Sequence, residues 1–177
     1  MKITIFGNPG TGKSTVGKLL ASKLGYEFKS SGNMFRAMAE KLGVTVYEFD
    51  VLSQTDPQYD ITLDQAVAEY GKTHDNFVFE SRLAWHFIPD SLKIELFTNE
   101  NVAAERVAQR EHISLDEAKR KNDLRIATYV ERYPKRYPDV HYPPVRQSFD
   151  LSIDVTVPKP EEIVEHILDF LKKRAAC

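Results

Sequence analysis

Short apolar runs alternate with amphipathic stretches along this chain. Lys2-Ile3-Thr4-Ile5-Phe6 is apolar and β-branched, the pattern of a buried strand. From Ser14 to Leu24, Val16, Leu19, Leu20 and Leu24 recur at helical spacing, and Gly25 supplies a stop. Tyr26–Ser30 predicts a second strand. After the turn Ser30-Ser31-Gly32-Asn33, a helix carries Phe35, Met38, Ala39 and Leu42 on one side and ends at Gly43. Thr45-Val46-Tyr47-Glu48 has capping-box spacing, and Asp56-Pro57 opens a further helix through about Tyr70. Residues 31–73 therefore read as a helical insertion between strands.

Phe77–Ser81 and Leu92–Phe97 are the next two strands. Asn99 caps a helix running to Glu111, and Ser114-x-x-Glu117 is a second capping box that opens a long polar helix. Pro134 and Pro138 are expected to break it, and the Tyr- and Pro-rich stretch from Tyr133 to Arg146 reads as a loop. Phe149–Val157 alternates as a last strand. Pro160 begins a final helix with Ile163, Ile167 and Leu171 at spacing of four. Strands alternating with helices predict an α/β fold of three layers, α/β/α, around a mostly parallel five-stranded sheet. Ligands of such sheets bind at the carboxyl ends of the strands.

Composition narrows the class. The chain has 177 residues, enough for one compact α/β domain, and its 42% hydrophobic and 28% charged content is ordinary. A formal net charge of -2 gives no sign of a nucleic-acid or acidic-membrane surface. The single cysteine, Cys177, excludes an internal disulfide or a cysteine-based metal site. The first apolar run is too short for a signal peptide, and no run reaches membrane-spanning length, so a cytoplasmic protein is expected. Five scattered histidines lack ligand spacing.

The chemistry begins at Gly7-Asn8-Pro9-Gly10-Thr11-Gly12-Lys13-Ser14, which fits the phosphate-binding loop G-x-x-x-x-G-K-[ST] between a strand and a helix. Its glycines let amide N–H groups approach an anion, and the helix start adds partial positive charge. Lys13 would reach the outer phosphates of a nucleoside triphosphate, Thr15 would follow in the cradle, and the Ser14 hydroxyl would be a Mg²⁺ ligand. A GTPase switch is disfavoured: no aspartate lies three residues before a glycine, and no NKxD occurs.

Phosphoryl transfer needs a second anion site facing the γ-phosphate. Arg36, just inside the helix after Ser31-Gly32, and Arg82, just past a strand end, are candidates for binding an acceptor phosphate. Glu80 at the same strand end could hold Mg²⁺ through water. Arg125 and Arg132 lie two helical turns apart, roughly 10 Å, a fitting reach along a polyphosphate. Arg106 and Arg110 share another stripe at i, i+4, with salt bridges to Glu105 or Glu111 as the alternative. Trp85 and Phe87 read as packing residues.

These pieces, in this order, resemble the nucleoside monophosphate kinases, and among them the short cytidylate kinases of archaeal type. Ser31-Gly32-Asn33-Met34-Phe35-Arg36-Ala37-Met38-Ala39 looks like that family's monophosphate-binding segment, and Phe79-Glu80-Ser81-Arg82-Leu83-Ala84 like its E-G/S-R-L-A segment. Leu92-Lys93-Ile94 with Ala104–Glu111 is similar to the strand and helix that follow. Phe149-Asp150-Leu151 with Ile153 matches the closing strand. The resemblance implies a core (1–30, 74–112, 147–177), a monophosphate-binding insertion (31–73), and an arginine lid with its return loop (113–146). It implies that Ser31, Arg36 and Arg82 contact the monophosphate, that Lys13, Arg125 and Arg132 act on the transferring group, and that ATP and Mg²⁺ are the cofactors. It also implies a small-molecule nucleoside monophosphate as substrate; a monomer is the expected state. One departure concerns the lid, where Ile126, Ala127, Thr128 and Tyr129 stand where related enzymes carry acidic residues that help read cytosine. CMP or dCMP is the expected acceptor, with weaker rejection of UMP. The residues alone leave open a kinase for another small acceptor, or a nucleotide-binding protein without catalysis.

Overall fold

The computed structural model describes residues 1–176; Cys177 lies outside the described residues. Five strands form one parallel sheet: β1 (Lys2–Phe6), β2 (Glu27–Ser30), β3 (Phe77–Glu80), β4 (Leu92–Phe97) and β5 (Leu151–Asp154), in the order β2-β3-β1-β4-β5. β1 is central, with Ile3 and Ile5 wholly buried beneath helices on one face of the sheet. α1 (Lys13–Leu24) and α8 (Pro160–Ala175) cover one face. Val16, Leu20, Ile163, Val164 and Ile167 pack there on Ile3, Ile5, Ile94, Leu96 and Ile153.

The insertion is helical throughout: α2 (Ser31–Lys41), α3 (Val46–Thr55) and α4 (Gln58–Thr73). The Thr45–Glu48 capping box forms as the spacing predicts. Asp56 Oδ1 accepts from Gln58 N, so Asp56 caps α4 across Pro57, and the helix continues past Tyr70 to Thr73. Val67 of α4 packs with Phe77, Phe79, Ala84 and Ile88, linking the short α5 (Ala84–Phe87) to the other face of the sheet.

α6 (Glu100–Glu111) and α7 (Leu115–Arg136) form a hairpin around Ala104, Val107 and Ala118. Here the structure corrects the proline reading. Pro134 lies inside α7, and only Pro138 follows the helix end. Proline removes one helical donor, but the last turn is tied elsewhere. Tyr137 N donates to Tyr133 O at 2.8 Å, Arg136 pairs with Asp60, and Tyr137 Oη donates to Asp64 at 2.6 Å. The return segment is also more ordered than a loop reading implies. Val140 and Tyr142 are buried with Phe6 and Leu83, and Phe149 stacks on Phe6 at 5.3 Å. The last strand is shorter than expected, Leu151–Asp154, with a 3₁₀ turn at Arg146–Ser148 before it. Among the described residues no helix is long and apolar enough to cross a membrane.

Candidate active site

The carboxyl ends of β1, β2 and β3 converge on one point. Register pairs Ile5 with Glu80 and Ser30 with Glu80, so the phosphate loop, Ser30 and Glu80 meet there. Glu80 is 7% exposed and accepts from Ser14 Oγ at 2.7 Å and Ser30 Oγ at 2.5 Å. Ser30 also caps α2 by accepting from Asn33 N, so one hydroxyl ties the insertion to the strand end.

The loop's shape needs its glycines. Gly12 sits at φ 77° as the residue before α1, and Gly10 at φ 84° lies so close to the Ala103 backbone that a Cβ would collide with it. Thr11 turns inward, its Oγ1 donating to Asn8 O at 2.9 Å. Burial pulls the Lys13 ammonium down to about 8; Glu80 opposes that shift, and Arg82, Arg110 and Arg125 reinforce it. Three of the arginines singled out from the sequence thus lie close enough to the loop lysine for their charge to act on it. A site so crowded with cations is built for a polyanion.

Ser14 and Glu80 present hard oxygens 2.7 Å apart beside Lys13, a donor set that fits Mg²⁺ held with water and phosphate oxygens. Among the described residues no cluster of three or more His, Cys, Asp or Glu side chains forms a metal cage.

Arg82 lies over the Tyr129 ring at 3.8 Å, with Tyr133 and Tyr142 also around it. Trp85 Nε1 donates to Arg82 O at 2.9 Å and holds the turn. Arg36 is exposed on α2 and folds back to Asn33 Oδ1, while Ser31 begins the same helix. Arg106 is committed to backbone, donating to Val155 O at 2.8 Å after β5. Arg110 pairs with Glu111 at 2.8 Å, and Arg125 approaches the same carboxylate at 3.7 Å. Arg132 pairs with Asp60 at 2.5 Å, and Arg136 joins it there. Arg125 and Arg132 are therefore held by different carboxylates, Arg125 by the hairpin and Arg132 by the insertion.

Sequence reasoning missed Asp60 and Asp64 on α4, which face α7. Burial pushes the Asp64 carboxyl up to about 6; the Tyr137 hydrogen bond and the nearby arginines oppose this, and Asp60 adds to it. The signal available was the i, i+4 spacing of two aspartates on one helix. The aromatic wall around Arg82 was likewise foreshadowed only by Tyr129 and Tyr133 at i, i+4 beside Arg132.

Solved structures share this architecture. A shikimate kinase from Acinetobacter baumannii, in complex with shikimate, superimposes with TM-score 0.67 at 17% identity, covering 98% of this chain and 93% of that one. A protein from Eubacterium ventriosum reaches TM-score 0.73 at 15% identity, covering 97% and 98%. At such identities the likeness is one of fold. Sequence relatives are nearer. The cytidylate kinase of Methanobrevibacter smithii is 38% identical over 174 residues, spanning 97% of this chain and 99% of that protein. The cytidylate kinase of Methanocella arvoryzae is 35% identical over 98% and 99%. A model of the cytidylate kinase-like family matches residues 2–157, and the chain belongs to that family.

Proposed function

We propose that this protein is an ATP-dependent nucleoside monophosphate kinase, transferring the γ-phosphate of ATP to CMP or dCMP. The observation that carries the reading is the meeting of the phosphate loop, Ser14, Ser30 and Glu80 at the strand ends, in a chain whose relatives over nearly their full length are cytidylate kinases. ATP lies with its phosphates against the amides of Gly10 to Thr15. Arg36, Ser31 and Arg82 take the acceptor phosphate from the other side, and that phosphate attacks the γ-phosphorus in line, so no protein nucleophile is required. Lys13, Arg125 and Arg132 neutralise charge on the transferring group. Ser14 and Glu80 would hold Mg²⁺, which when bound would supply charge neutralisation for the phosphates. Arg106 and Arg110 flank the ATP side. Closure of α7 over the phosphates excludes water and suppresses ATP hydrolysis. A cytoplasmic monomer is the expected setting.

The test is a coupled ADP-release assay with CMP, dCMP, UMP, AMP and GMP as acceptors. CMP or dCMP should give the highest kcat/KM, with UMP next. Preference for AMP, or no turnover on any nucleotide, would remove the cytidylate assignment and leave a phosphate-loop kinase for another acceptor.

A further inference from the structure

Arg82 differs from the other arginines of the site in what faces its charge. Arg110, Arg125, Arg132 and Arg136 each pair with a carboxylate, while Arg82 forms no ion pair among the described residues. Its guanidinium carbon instead lies 3.8 Å from the centre of the Tyr129 ring. Tyr129 stacks in turn on Tyr133, with centroids 5.5 Å apart and planes within 12°, and Tyr142 meets Tyr133 edge-on at 4.9 Å. Phe6, Leu83 and Val140 back this wall from the core. Burial raises the Tyr133 and Tyr142 hydroxyls above the ordinary tyrosine value, so the wall stays neutral at neutral pH.

A ring face and a carboxylate hold a guanidinium differently. A carboxylate takes N–H groups in the plane of the fork, the same groups that a phosphate needs. A ring takes the flat face and leaves the in-plane N–H groups open. An arginine held in this way is fixed in direction and still open toward an anion. The backbone beneath it is fixed too. Leu83 N donates to Ser81 Oγ at 3.2 Å, and Trp85 Nε1 donates to Arg82 O at 2.9 Å. Tyr129 follows Arg125 by four residues and precedes Arg132 by three, so all three share one face of α7. The ring contact therefore ties an arginine just past the end of β3 to the lid helix.

We propose that Tyr129 is a positioning residue for the acceptor-phosphate site, its ring holding Arg82 with the guanidinium edge open to that phosphate. The proposal rests on the assignment of Arg82 to the acceptor side. Without the ring, Arg82 keeps its charge but must be ordered when the acceptor binds. Immobilising one rotamer-rich side chain weakens binding by about three- to tenfold.

The test is calorimetric titration of CMP, and separately of ATP, into the nucleotide-free full-length protein and its variants, each first checked for folding by thermal melts. Tyr129→Leu should raise Kd for CMP about three- to tenfold and change Kd for ATP less than about twofold. Tyr129→Phe keeps the ring and should bind CMP as the wild type does. Tyr129→Met, also a helix former, takes the place of the leucine variant should that one not fold. Adding Tyr129→Leu to Arg82→Ala should weaken CMP binding no further than Arg82→Ala alone, because the ring acts through the arginine. Unchanged Kd for CMP in folded Tyr129→Leu, an equal rise for ATP, weak binding by Tyr129→Phe, or additive effects in the double variant would each overturn the proposal. The acceptor assignment stands in all four cases so long as Arg82→Ala itself weakens CMP binding. If Arg82→Ala leaves that Kd unchanged, or the wild type does not bind CMP, the assignment fails and the positioning role fails with it.

Discussion

Substituting Asp60 by asparagine tests whether the insertion and the lid helix are joined by charge. Asp60 reaches across from α4 to Arg132 and Arg136, and the three side chains are 12%, 17% and 11% exposed. Asparagine would keep the volume, so no cavity forms, but two largely buried guanidinium groups would lose their counter-charge. Removing one partner of a buried pair costs about 3–5 kcal/mol. Residual exposure lets water relieve part of that, and Asp64, one turn along, can take up some of the charge, so the lower end, about 3 kcal/mol, is the fitting figure. For a chain of this length that corresponds to a fall in Tm of about 6–12 °C. Thermal melts followed by circular dichroism at neutral pH provide the assay. Adding Arg136→Met to Asp60→Asn removes one stranded cation and should recover part of the loss, a coupling that independent sites would not show. A fall of less than about 2 °C would mean that both arginines rehydrate freely, and the latch would carry no weight in the stability of the fold.

Three further outcomes follow from the site. Lys13 titrates near 8 in the nucleotide-free protein, so kcat/KM for ATP should fall as pH rises through about 8. The kcat profile should stay flat to higher pH, because bound polyphosphate retains the proton; Lys13→Ala should abolish turnover and leave the fold intact. Arg82→Ala should raise KM for CMP roughly ten- to a hundredfold, far more than KM for ATP, and the reverse pattern in steady-state kinetics would move Arg82 off the acceptor side. Asp64 has a folded pKa of about 6, above its ordinary value, so its contribution to stability is full below about pH 4 and lost as pH rises through 6. Urea titrations at about pH 5 and pH 7.5 should therefore show a smaller difference in Asp64→Asn than in the wild type.

The parts of the fold legible in the sequence are those fixed by local rules. The strands β1, β3 and β4 are runs too apolar to lie anywhere but the core, and the caps at Thr45, Asn99 and Ser114 mark helix starts by side-chain chemistry alone. The phosphate loop is legible for the same reason, since its function resides in backbone angles that its glycines dictate. The C-terminal end of α7 was not. Pro134 is a local stop signal, and it is overruled by contacts 72 to 76 residues distant in sequence, between Arg132 and Arg136 on α7, Tyr137 at its end, and Asp60 and Asp64 on α4. No periodicity within α7 reports them.

The same long-range pairs change what the missing lid carboxylates mean. With no acid at positions 126–129, and Glu131 paired with Lys135, Arg125 and Arg132 would be left uncompensated if the lid had to supply their counter-charge itself. The structure distributes the counter-charge outside the lid's central turns instead: Glu111 at the end of α6 gathers Arg110, Lys121 and Arg125, and Asp60 on the insertion gathers Arg132 and Arg136. Each carboxylate is a placeholder that a phosphate can replace, because both offer oxygens to the same guanidinium fork. In the proposed mechanism nucleotide binding exchanges one set of ion pairs for another rather than creating them from solvated charges, which keeps the cost of reorganising the lid small. It also couples the two sides of the site. Arg132 is held by α4 of the insertion, whose α2 carries Ser31 and Arg36 of the proposed acceptor site, so in the proposed mechanism a movement of the insertion shifts the arginine assigned to the transferring phosphate.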